Sequence, residues 1–159
     1  MTITGAACWI LQTADPARKA ALSLEAAAQW RDGAIRDIGD TRPPDRPARP
    51  ARPELKRPGE MPRRRGAAGR IALLHAIAHI EMNAIDLAWD MVARFTAEEL
   101  PEEFYAAWVG VAADEARHFA LLADYLKRNG AAYGDLPAHD GLWQAAEETS
   151  DDILARLAL

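Results

Sequence analysis

Residues 104–126 read FYAAWVGVAADEARHFALLADYL, and the fold follows from which of these side chains share a face. At 3.6 residues per turn Phe104, Trp108, Val111, Phe119, Leu122 and Leu126 gather into one apolar arc, with Glu115 in its middle and His118 one turn further along, near its edge. A carboxylate turned toward a core without a partner costs several kcal/mol, more than the roughly 1.5 to 3 kcal/mol a leucine there contributes. A compensating group is therefore expected. Side chains at i and i+3 stand about 5 to 6 Å apart and can converge on one ion, so Glu-x-x-His points to a metal. A structural buried pair is the plainer alternative.

The same anomaly recurs upstream. Residues 70–95, RIALLHAIAHIEMNAIDLAWDMVARF, form the longest uninterrupted helix pattern. Ile71, Leu74, Ala78, Ile85, Ala88 and Val92 line a broad apolar arc, and Glu81 sits at its centre. His75, His79, Asn83, Asp86, Asp90 and Arg94 line a polar arc, which reads as solvated or, for the histidines, as lying behind a metal's direct ligands. A small peripheral site built from His75, His79 and Asp86 is a further reading. The intervening TAEELPEEF reads as a helix stop and restart, at Thr96 or Pro101. A connection that short makes the two helices an antiparallel hairpin, which lets Glu81 and Glu115 meet.

Around this hairpin the chain is uneven. Residues 1–14 carry a short apolar patch, Ala6 to Leu11, read as a strap or short helix against the body. Asp15-Pro16 is an N-cap and first-turn pair for a helix running to about Arg31 and stopping at Gly33. From Thr41 to Gly69 seven prolines forbid a helix or a central strand, so this segment is expected to be an extended arm wrapping the domain. Asn129-Gly130 should end the second hairpin helix. After a loop containing His139, a third amphipathic helix is expected from Leu142 to Leu159, with Leu142, Ala146, Thr149, Ile153 and Leu157 on one side and no stop signal at its end. The resulting division is a helical segment over 1–40, a Pro/Arg-rich arm over 41–69 and a helical region over 70–159.

With 159 residues, half of them hydrophobic, the chain suits one all-α domain. Its single cysteine, Cys8, excludes an internal disulfide framework and a thiolate-rich zinc site, leaving carboxylates and histidines as ligands. No uninterrupted apolar run approaches about 18 residues and the N-terminus lacks a secretory pattern, so no membrane span and a cytoplasmic location are expected. Residues 41–70 carry nine arginines and one lysine against three acids, a local +7 in a chain of net −5. Such a stretch is expected to lie against its own acidic body, with Arg63, Arg64 and Arg65 as the alternative anion-binding strip.

HAIAHIEMNAIDLAWDM and AADEARHFALLADYLKRNGAAYGDLPAHDGLW, together with the arm ARPELKRPGEMPRRR, resemble the ferritin-like superfamily, and within it a bacterial ferritin-like family of unknown function. The resemblance implies a helical hairpin that is half of a four-helix bundle. Such di-metal carboxylate proteins supply one Glu from each of two helices and Glu-x-x-His from each of the other two. Glu81 then matches the lone Glu, Glu115 the bridging carboxylate and His118 the terminal imidazole. Iron, or another divalent transition metal, is the implied cofactor. Family members continue through a third and a fourth helix with the remaining ligands, which makes this sequence look like an N-terminal part. Alternatively, two copies pair their hairpins around a two-fold axis as a homodimer.

The implied activity is a di-iron carboxylate oxidoreductase or hydroxylase acting on an unspecified small molecule. Three other readings stay open: non-catalytic iron binding, a tRNA-modifying hydroxylase-like protein holding phosphate through Arg63 to Arg65, and an inactive helical fragment. Nearby, Trp108 and Phe119 are expected to wall the site. Asp114 is read as a group orienting a ligand histidine or as a solvated charge, and Tyr125 as a redox neighbour or a packed tyrosine.

Overall fold

The computed structural model describes residues 1–61 and 66–158; Arg63, Arg64 and Arg65, and with them the anion-strip reading, lie outside the described residues. Among the described residues six α-helices follow one another: α1 Ile3–Leu11, α2 Pro16–Arg31, α3 Gly66–Arg94, α4 Glu102–Arg128, α5 Gly141–Glu148 and α6 Ile153–Leu157. Among the described residues, pairing of the β type is limited to one isolated bridge between Leu55 and Ala138. The all-α expectation holds.

The hairpin of α3 and α4 is the centre of the molecule. A 3₁₀ turn at Thr96–Glu98 and the left-handed Glu99 reverse the chain, and Pro101 opens α4. The two helices run antiparallel, burying Ala78, Met82, Ile85 and Val92 against Val109, Ala112, Ala116 and Phe119. On one flank α2 packs on α4, and α1 on α3. The Asp15 carboxylate accepts from the Arg18 N–H at 2.7 Å and Pro16 takes the first helical position, so α2 starts where its cap dictates. The apolar patch at the N-terminus is a true helix, with Ile3, Ile10 and Leu11 fully buried. Its start is held by backbone bonds from Ile3 and Thr4 to the carbonyls of Asp37 and Ile38. Gly39, at φ 78°, makes that approach feasible, because a Cβ there would sit 2.5 Å from Thr2 Oγ1.

The proline-rich arm is extended and lies along α3. The Ala48 N–H donates to the Leu11 carbonyl, and the segment around Leu55 exchanges backbone bonds with Ala138. Here one expectation fails: the polar arc of α3 is buried. His75, His79, Asn83, Asp86 and Asp90 are all at most 5 % exposed. The arm and the 131–140 loop close over them, which no periodicity within α3 could reveal.

The last helix also differs. It is expected to be continuous from Leu142 to Leu159, but it breaks at 149–152 into α5 and α6. Asp152 is the reason: its carboxylate accepts from the N–H groups of Leu154 and Ala155, a new N-cap that outcompetes continuation. By length and composition Ala68–Arg94 reaches the level of a membrane-crossing helix, with hydropathy 1.3, although no such span is expected from uninterrupted runs. It is the core helix here, packed by α1, α4 and α5 and carrying Glu81, Asp86 and Asp90.

Candidate metal centre

Glu81 from α3 and Glu115 and His118 from α4 meet midway along the hairpin. One ligand atom from each lies within 4.8 Å of the others. His118 Nδ1 is 3.1 Å from Glu115 Oε2 and 3.6 Å from Glu81 Oε2. Helical phase explains the meeting: one turn separates Glu115 from His118, and the short 95–101 connection brings Glu81 level with Glu115. The cluster does not face the dry core, as the apolar arcs imply. The side chains of Glu81 and Glu115 are 18 % and 23 % exposed and that of His118 is 54 % exposed, so the cluster sits on the open side of the hairpin, at the edge of the core.

The electrostatics are those of a crowded acid pair. Burial pushes Glu81 up to about 7, reinforced by its hydrogen bond to Glu115 and by that group's charge. Burial also acts to raise Glu115, but the hydrogen bonds from Glu81 and His118 outweigh it and leave its carboxyl below the usual range. The Glu115 bond raises His118 against the opposing effect of burial, with the charges of Glu115, Glu81 and Asp114 adding to it. Below about pH 7 one proton is thus shared between the two carboxylates, and the imidazole holds its own proton more tightly than a free imidazole does. Two carboxylates and an imidazole within reach of one point suit a first-row divalent ion, which would displace those protons.

The neighbours are sorted differently from expectation. Phe119 is buried with its ring edge-on to Tyr133, and Trp108 is half-buried beside Phe104. Asp114 is exposed and pairs with Arg117, and Tyr125 is exposed. The peripheral metal reading of His75, His79 and Asp86 does not survive, because their polar atoms are committed elsewhere. His79 Nε2–H donates to the His139 carbonyl at 3.0 Å while Nδ1 accepts from the Tyr133 hydroxyl at 2.9 Å. His75 Nε2 accepts from the Gly134 N–H at 2.8 Å. Lys19, 1 % exposed, reaches Asp86 Oδ1 at 2.5 Å, and Arg49 of the arm lies 3.1 Å from Oδ2 and donates to Asn83 at 2.7 Å. Further along, Asp90 holds Arg94 at 2.7 Å and also Arg156 from α6. Burial lowers Lys19 and raises Asp86, and their contact opposes both shifts.

Sequence reading missed Lys19, Arg49, Tyr133 and Arg156 as parts of one buried network. A signal existed: six polar residues at strict i, i+4 and i+3 spacing on one helix, together with an arginine-bearing arm that no helix could absorb.

Comparison places these features in a family. Residues 12–159 match the family described as protein of unknown function DUF455. A protein of Haemophilus influenzae, described as an uncharacterized protein, is 46 % identical over 117 residues, a match covering 69 % of this chain and 41 % of the relative. The chain thus spans about two fifths of that relative's length. No solved structure matches. The match over nearly the whole chain, from α2 through the hairpin to α6, shows that the protein belongs to the DUF455 family.

Proposed function

We propose that the protein binds a transition metal through Glu81, Glu115 and His118, and that this cluster is half of a ferritin-like di-metal carboxylate centre. One observation carries the reading: three ligand-type side chains from two helices converge to within 4.8 Å on a half-buried face. In this reading Glu81, Glu115 and His118 would hold the metal, and Trp108 and Phe119 would keep water from the core side. Bound iron would supply redox chemistry toward dioxygen, the basis of an oxidoreductase or hydroxylase acting on a small molecule. Three protein ligands fall short of the roughly six that such a centre uses, so the working site takes its remaining ligands from further protein, a second copy being one source. The setting in this reading is the cytoplasm.

Metal binding without turnover is the second reading. The exposure of His118 favours it, because a substrate-oxidising centre is ordinarily shielded from water. The experiment for the shared claim is metal content after anaerobic equilibration with Fe²⁺. Wild type should retain about one ion per chain, as one set of two carboxylates and an imidazole per chain implies, and Glu115→Ala should retain none. Equal retention by both proteins would sink the assignment.

A further inference from the structure

The face of the hairpin that carries the cluster is apolar and uncovered. Leu73 and Ile80 on α3, and Val111, Leu121 and Tyr125 on α4, are exposed around Glu81, Glu115 and His118. Elsewhere on the same helices large apolar side chains are buried under α1 and α2. An apolar stripe along both helices of a hairpin marks an interface.

Three features say what fits it. Glu81 lies 13 residues before the end of α3 at Arg94, and Glu115 lies 13 residues after the start of α4 at Glu102, so the cluster sits at the same height on both helices. A two-fold axis through that point lays one hairpin on a second with their ends in register, and the contact is self-complementary. The donor set doubles in the same operation, from two carboxylates and one imidazole to four and two. Finally, helices of 29 and 27 residues are about 40 Å long and about 10 Å wide, so the hairpin presents roughly 800 Å², about what each partner of a stable dimer buries.

We infer that two copies of this chain pair face to face through the α3–α4 hairpin, and that a divalent metal drives the pairing. The inference rests on the metal-binding reading above and adds its partner and its regulation. Metal dependence follows from charge. The apolar rim favours association, but pairing brings four carboxylates together out of water, where like charges repel strongly unless cations lie between them. Metal-free chains stay apart; loaded chains join.

The test is the solution mass of the chain by analytical ultracentrifugation with bound metal measured on the same samples, using Fe²⁺ under anaerobic conditions and Zn²⁺ as a redox-inert probe. The expected result is a monomer with chelator, a doubled mass with about one ion per chain after loading, and reversal when chelator returns. Leu121→Arg, at a position exposed in the monomer, should fold normally, remain monomeric and bind metal at least tenfold more weakly. A monomer that binds one ion per chain overturns the inference while leaving the metal site standing. It would assign the face to some other cover, such as the additional length of the Haemophilus influenzae relative. A dimer that persists in chelator, or that Leu121→Arg leaves intact, overturns it as well. Failure of wild type to bind either ion removes the metal-binding reading and this inference together.

Discussion

One helix, α3, carries two polar features that look alike in sequence and differ in kind. On one face Asp86 is fully buried, yet it lies 2.5 Å from Lys19 and beside Arg49, while His79 has a partner on each ring nitrogen. On another face Glu81 is only half-buried, and its nearest charged neighbours are a second carboxylate and an imidazole. The first set places its carboxylate against opposite charge and gives both nitrogens of the His79 ring a partner, as a structural network does. The second sets two acids side by side with only an imidazole as counter-charge, the arrangement on which the proposed metal site rests. Complementarity of charge, rather than depth of burial, is what distinguishes the two clusters.

The comparison breaks most sharply under mutation. Asp86→Ala leaves Lys19 buried, and Arg49 half-buried, without their counter-ion and should destabilise the protein by about 3 to 5 kcal/mol, read by urea denaturation. Asp86→Leu combined with Lys19→Met should recover most of that loss, since matched apolar replacement removes both charges. A loss below about 1 kcal/mol in the single variant would mean that the network does not hold the arm.

The next effect is a pH dependence. Burial, followed by the charge of Arg49, lowers His79 to about 4, against 6.5 for an unhindered imidazole. Between those values the unfolded chain takes up a proton that the folded chain refuses. Stability should therefore fall as pH drops from about 6.5 toward about 4, by up to roughly 3 kcal/mol, and level off below. His79→Gln should flatten that part of the profile. An unchanged slope in the variant would place the titration elsewhere. Smaller again is Tyr133→Phe, which removes one hydrogen bond to His79 and should cost about 1 kcal/mol in thermal or chemical unfolding. Smallest is Glu115→Ala without metal: relieving a crowded acid pair should leave stability within about 1 kcal/mol of wild type or raise it. A loss as large as that of Asp86→Ala would make the two faces equivalent and erase the distinction.

Much of this architecture is legible in the sequence. Asp15-Pro16, the Thr96–Pro101 break and Asn129-Gly130 bound the helices through local chemistry, and local chemistry is what a sequence displays. The meeting of Glu81 with Glu115 and His118 is legible because it needs only helical phase and a short turn. Which way that cluster faces is not. An apolar arc bounded on both sides looks the same whether it packs on its own chain or stays open for another, so Glu81 and Glu115 read as facing the core and lie at its open edge. Burial of His75, His79 and Asp86 is hidden for the opposite reason: their cover is an aperiodic arm and a loop whose path depends on tertiary contacts such as Arg49 to Asp86 and Tyr133 to His79. The break before α6 was visible in principle, since Ser-Asp-Asp is a capping sequence, but the apolar spacing from Leu142 to Leu157 runs across it.

The most direct test of the distinction between the two faces is metal bound per chain, by equilibrium dialysis against Fe²⁺ or Zn²⁺, for wild type, Glu115→Ala and His79→Gln. The account predicts about one ion in wild type and in His79→Gln, and none in Glu115→Ala. Retention by Glu115→Ala with loss in His79→Gln would contradict it, placing the metal on the buried stripe and leaving the open cluster without a role.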